Sequence, residues 1–254
     1  MRKWMINRLH FDWLLGIVIR PRRTMEAVVS RSEGVWITPL LCLTLTAVLL
    51  SMALGNLRQQ ALSMGEISYP PGFEYYTPEQ QAQFMQATQA SSGPIFVYVI
   101  PIVGKISGVW FGWLIISSIL HLLLTLLGGR GTTTATVNLV AWASIPFAVR
   151  DLIRLLYILV AKKQIVMSGL SGFISASTSQ GTLYLAALLA LVDIYFIWNI
   201  ILLIIGVDQA TKLSRRKVIA GVLITMFAFI GLQALGIFLI SLLSDLTVVR
   251  PFMF

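Results

Sequence analysis

Arg150, Asp151 and Arg154 stand inside an otherwise apolar run, 137–161, and Asp193 stands inside another, 183–206. Each charge at the centre of a membrane helix costs about 2.5–3.5 kcal/mol on insertion scales, so three cost roughly 8–10. The thirteen Val, Ile, Leu and Phe residues of 137–161 return only about 4–8 kcal/mol on the same scale. Such a segment must pack against neighbours that neutralise it. Asp151 and Arg154 are three apart and can pair on one helix face. Arg150 and Arg154 share a face and still lack an anion. Asp193, expected near the middle of the following helix, reaches a similar depth and is predicted to face Arg150 or Arg154. The cluster reads either as ion pairs that fix helix register or as a polar site for an anion or lipid headgroup.

Other reactive types give little. His121 follows Ser117 and Ser118 by about one helical turn, but no G-x-S-x-G elbow and no orienting carboxylate accompany them. No H-E-x-x-H, Walker loop or His/Asp/Glu ligand cluster occurs. Gly128-Gly129-Arg130-Gly131-Thr132 lacks the lysine and spacing of a phosphate loop and reads as a tight turn. The sequence therefore predicts no catalytic residue, no metal and no cofactor, and hence no enzyme.

The elements that position these residues are set by hydropathy. Apolar residues are 57% of the 254, charged residues 11%, and the mean hydropathy is +0.84. Apolar stretches near 35–55, 106–127, 137–161, 183–206 and 218–243 are each close to the roughly 20 residues needed to cross about 30 Å of hydrocarbon. The predicted fold is all-α: a polytopic membrane bundle of five transmembrane helices over 35–254, preceded by a basic interfacial segment, 1–34. Phe11–Ile19 is too short to span and is expected to lie in the interface. No small-residue cleavage site follows it, so it does not read as a cleaved signal.

The net charge is +9. In a chain this apolar it signals topology rather than nucleic acid. With the N-terminus inside, twelve Lys/Arg fall in the inner segments and four in the outer ones. The expected orientation is N-terminus cytoplasmic, C-terminus outside, in the cell membrane. Arg20, Arg22, Arg23, Arg215, Arg216 and Lys217 form the cytoplasmic basic surface, suited to anionic headgroups. Cys42, the single cysteine, excludes an intrachain disulfide. In the outer loop, 56–93, Thr77-Pro78-Glu79-Gln80 predicts a capped helix over about 78–90. Gly104, Gly108 and Gly112, spaced four apart, offer a smooth helix face. It serves either packing within the bundle or a homodimer.

Three segments carry a family resemblance. The first is Ile19-Arg20-Pro21-Arg22-Arg23-Thr24-Met25 with Trp36 and Pro39-Leu40-Leu41. The second is Leu126-Leu127-Gly128-Gly129-Arg130-Gly131 with Ala141-Trp142-Ala143-Ser144-Ile145-Pro146. The third runs from Trp198 through Ile205-Gly206-Val207 to Leu213-Ser214-Arg215-Arg216-Lys217. In order and spacing they resemble the Yip family, the Ypt/Rab-GTPase-interacting membrane proteins, in its prokaryotic branch, over roughly residues 10–245. The resemblance implies five helices, a cytoplasmic N-terminus and no catalytic residues. Eukaryotic relatives act in membrane traffic with small GTPases through a longer cytosolic region. The acidic, proline-containing motif of that region is not found here. Some bacterial relatives resemble helpers of ABC-type exporters.

The expected function is that of a non-enzymatic accessory or organising subunit for other membrane components, such as an export complex. Its partners are lipids and another membrane protein. The alternative is a small transporter or channel using Arg150, Arg154 and Asp193. Reporters fused at the two ends should fall on opposite sides of the membrane; the same side for both would remove the odd span count.

Overall fold

The structure is a computed structural model that describes residues 9–64, 69, 73–165, 169–173 and 180–246. Arg2, Lys3, Arg8, the Pro70-Pro71-Gly72 turn and Arg250 lie outside the described residues. The described elements are helical, with no strand among them. They are α1 (Asp12–Ile19), α2 (Pro21–Val29), α3 (Ile37–Ser63), α4 (Pro78–Ala90), α5 (Ile100–Leu126), α6 (Thr133–Ala143), α7 (Ile145–Ala161), α8 (Gln180–Ala190), α9 (Ile194–Ala210) and α10 (Arg215–Leu246). A π-helical turn, Ile95–Val99, leads into α5. By length and composition three helices can cross a membrane: Ile37–Ser63, Ile95–Leu126 and Arg215–Gly236. A fourth is reached if α8 and α9 are counted as one bent span.

Two of the five expected spans are broken. The run expected over 137–161 starts at Thr133 and divides at Ser144 into α6 and α7. Pro146 explains the division: it has no N–H for the carbonyl four residues back. The run expected over 183–206 divides at 191–193, with a bend of 66° between its halves. Asp193 is extended there (φ −135°, ψ 179°), and its side chain caps α9. Gly169, at φ +57°, sits against the C-terminal end of α8. A Cβ there would lie 2.6 Å from the Val192 carbonyl oxygen and 2.7 Å from those of Ala190 and Leu189.

Buried asparagines complete the irregular backbone. Asn138, fully buried in α6, accepts from the Val35 N–H at 2.9 Å through Oδ1. Its Nδ2 donates to the Glu33 carbonyl at 2.8 Å. Trp142 Nε1 donates to the Val35 carbonyl at 3.0 Å. Asn199 Nδ2 on α9 donates to the Ala143 carbonyl at 2.7 Å, at the α6–α7 break. Buried non-helical backbone needs protein groups to satisfy it, and these three side chains do so here.

The sequence suggested a boundary at 34, but the N-terminal hairpin shares the main core. Ile17, Met25 and Val28 are fully buried with Leu139, Trp142, Leu202 and Val207. Gly206 lets α9 approach α6, since a Cβ there would lie 2.6 Å from Leu139 Cδ1. Tryptophans knit the same core. Trp36 lies 5.0 Å from Trp113 and 6.1 Å from Trp110 between ring centroids. Trp110 Nε1 donates to Thr44 Oγ1 at 3.2 Å, and Trp113 Nε1 to the Val137 carbonyl at 3.0 Å. At the entrance to the hairpin, His10 stacks on Trp13 at 4.1 Å. Burial and the positive charge of Arg31 push the His10 imidazole below its ordinary value, with Asp12 opposing.

The outer helix forms as its residues dictate. Gln80 N–H donates to Thr77 Oγ1 at 3.3 Å, and Thr77 N–H to Gln80 Oε1 at 3.0 Å. This capping box opens α4 with Pro78 in its first turn. Large apolar side chains such as Leu45, Phe111, Leu156, Val160 and Ile197 point outward from the bundle, as lipid-facing positions do.

Replacing Asn138 by Leu leaves the Val35 N–H and the Glu33 carbonyl unpaired, at about 1–3 kcal/mol for each buried group. Its unfolding midpoint in mild detergent should fall well below that of Thr225→Val, which removes only a hydroxyl bonded to the Gly221 carbonyl of its own helix.

Candidate functional site

Arg150, Asp151, Arg154 and Asp193 meet where α7 passes the start of α9. Asp193 is held there by its capping duty: its Oδ1 accepts from the Phe196 N–H at 2.8 Å. Its other oxygen, Oδ2, lies 3.5 Å from Arg150 Nη1 and 3.8 Å from Arg154 Nη2. Asp151 faces Arg150 (Nε–Oδ1 3.3 Å), rather than the Arg154 expected from three-residue spacing. The Arg150 guanidinium also lies 5.0 Å above the Phe147 ring, a favourable cation–π placement. The side chains are 24%, 13%, 29% and 11% exposed for Arg150, Asp151, Arg154 and Asp193. Two guanidiniums and two carboxylates cancel, so no net positive charge is left to draw an anion inward.

The glycine face is a different case. A Cβ at Gly112 would meet Phe229 of α10 at 3.3 Å, so this position is packed within the bundle. Gly104 and Gly108 have nothing within 4 Å of a Cβ. The packing partner expected for them inside the bundle is absent from the described residues, because α5 turns that stretch outward.

The basic residues come together from separate segments. Gln209 Nε2 at the end of α9 donates to the Arg22 carbonyl at 2.9 Å, tying α2 to that end. Lys217 Nζ donates to the Leu127 carbonyl at 3.0 Å, closing the C-terminus of α5 as a cation suits. Leu213 lies against Gly129. An open concavity is lined by Arg20, Pro21, Arg22, Arg23 and Ile205. Arg20, Arg22, Arg23, Arg130, Lys212, Arg215, Arg216 and Lys217 are all exposed. The same segments carry few acids, Glu26 and Asp208 among them.

His121 is held by threonines. Its Nε2 lies 3.1 Å from Thr133 Oγ1 and its Nδ1 3.4 Å from Thr136 Oγ1. No carboxylate joins this group, and no cluster of metal-ligating side chains occurs among the described residues. Asn138 and Asn199 are the residues that sequence reasoning passed over. A side-chain amide in an apolar run is the signal that could have marked them.

A family model, the Yip1 domain, matches residues 15–238. No curated protein and no solved structure matches the chain.

Replacing Asp193 by Asn keeps a capping oxygen but leaves two guanidiniums without their shared carboxylate. Breaking a partly buried pair of this kind should cost about 2–4 kcal/mol. Arg154→Gln added to Asp193→Asn should recover part of that loss in thermal unfolding, and additive losses would remove the coupling.

Proposed function

Because this chain belongs to the Yip1 domain family, whose members are integral membrane proteins, we propose that it is a non-enzymatic accessory subunit of the cell membrane. In this reading it organises or assists other membrane components, such as an export complex, through its basic end, which faces the cytoplasm. One observation carries the proposal: arginines and lysines from α2, the α5–α6 turn and the α9–α10 turn converge on one exposed end. Positive charge gathered there suits anionic headgroups and acidic partner segments, at about 1 kcal/mol per basic residue near an anionic leaflet.

The transporter alternative has less support. Its candidate path, Arg150, Arg154 and Asp193, is closed on itself by Asp193 and Asp151. A membrane anion site needs uncompensated positive charge or free N–H groups, and the capping N–H of α9 is occupied by Asp193 itself.

Affinity capture in mild detergent tests the accessory role. The full chain should retain a defined membrane complex at low salt and release it at roughly 0.5 M, where the screening length is only a few ångströms. Arg22→Gln with Arg23→Gln, or Arg215→Gln with Arg216→Gln, should reduce that retention about tenfold at unchanged yield of folded chain. No reproducible partner, or liposome flux abolished by Arg150→Ala, would replace this reading by the transporter.

A further inference from the structure

A second cavity, of about 380 Å³, opens on the seam of α5 and α6, within the size range of small-molecule sites. Ser117, Ser118, His121, Thr125 and Thr133 line it, with apolar side chains between them. None of its lining residues is charged. Leu122, at its rim, is 59% exposed, so the cavity faces the surroundings of the bundle rather than its core.

The hydrogens in this wall can be assigned one at a time. Ser118 donates to the Leu114 carbonyl at 2.8 Å, and Thr125 to the His121 carbonyl at 2.8 Å. Thr136 donates to the Thr132 carbonyl at 3.3 Å. Its oxygen is therefore left to accept from His121 Nδ1–H, and His121 Nε2 shares a hydrogen bond with the Thr133 hydroxyl. One donor is unspent. Ser117 is 3% exposed, and its Oγ has no hydrogen-bond partner. Helical hydroxyls elsewhere, such as Thr44, Ser51 and Thr225, return to the carbonyl four residues back; Ser117 does not. An unmet buried hydroxyl costs about 1–3 kcal/mol, so this wall asks for an acceptor from outside the chain.

Depth narrows the choice. The helix Ile95–Leu126 has 32 residues, or about 48 Å at 1.5 Å per residue. Centred on about 30 Å of hydrocarbon, it overhangs by about 9 Å at each end. Ser117 is nine residues from Leu126, about 14 Å along the axis, and so lies about 5 Å inside the hydrocarbon edge. The acyl esters of lipids lie at that edge, within a few ångströms of this depth. A phosphate finds no cation in the lining, whereas an ester carbonyl is neutral, acts only as an acceptor and trails an apolar chain.

We propose that the α5–α6 cavity is a binding site for one glycerolipid, an ester carbonyl of which accepts the hydrogen bond of Ser117. The apolar lining holds the upper part of the acyl chain, and the His121–Thr133 hydrogen bond holds that wall in place.

Native mass spectrometry of the full chain in mild detergent tests the site. Two probes are used: diacyl phosphatidylcholine and its dialkyl ether analogue, which lacks both ester carbonyls. The wild-type chain should keep one diacyl lipid, and should keep the ether analogue three- to tenfold less well, the range one hydrogen bond supports. Ser117→Ala should weaken retention of the diacyl lipid by the same factor and leave the ether analogue unchanged. The two losses report one bond and should not add. Ser51→Ala, which removes a buried hydroxyl of α3 bonded to Ala47, should retain the diacyl lipid as the wild type does. Equal retention of ester and ether lipids by the wild type would overturn the proposal. So would equal retention of the diacyl lipid by Ser117→Ala, or a dimer mass forming in place of the lipid adduct.

Discussion

The buried breaks in this bundle need hydrogen-bonding partners that an apolar interior does not supply. That requirement organises the structure. At the turn before α3, Asn138 and Trp142 occupy the Val35 N–H and the Glu33 and Val35 carbonyls. At the α6–α7 break, Asn199 takes the Ala143 carbonyl. At the α8–α9 break, Asp193 takes the Phe196 N–H in the first turn of α9. A polar group left unmet in lipid costs several kcal/mol. These few side chains therefore decide which helices neighbour which: α6 must face the 33–35 turn, and α9 must lie against the α6–α7 junction.

The charge cluster follows from the same constraint. Asp193 is placed by its capping role, and Arg150 and Arg154 approach it because α7 runs past that helix start. One carboxylate thus serves the backbone of α9 and the charges of α7 together. A carboxylate bonded on both sides, among charges that sum to zero, is well suited to holding two broken helices in register. It is poorly suited to passing an ion, which would require the cap and the pairs to open together.

The two ends of α5 differ in character. Toward Gly104 and Gly108 its outward face is bare, with nothing among the described residues within 4 Å of a Cβ at either position. Toward Leu126 it is tied by Lys217 to α10 and stands beside the converged basic residues. The Ser117 cavity lies between these regions, below the basic end. The proposed lipid site thus has a cationic surface above and a hydroxyl-lined pocket beneath, for headgroup and ester respectively.

The sequence by itself determined the solvent and the periodic elements, because length, hydropathy and capping are local. Apolar runs marked α3, α5 and α10, and Thr77 with Gln80 marked the start of α4 within a residue. The family could be read from short motifs, and its domain covers residues 15–238. The approach of Asp193 to Arg150 was legible too, since an unpaired charge in an apolar run must find its opposite. Tertiary structure alone decided that Asp193 stands at a helix start rather than inside a helix, that Gly104 and Gly108 face outward, and that Asp151 turns to Arg150. It also decided that Ile17, Met25 and Val28 of the basic segment enter the main core. Each of these depends on which neighbour fills a space or completes a hydrogen bond, and spacing along one chain carries no record of a partner a hundred residues away.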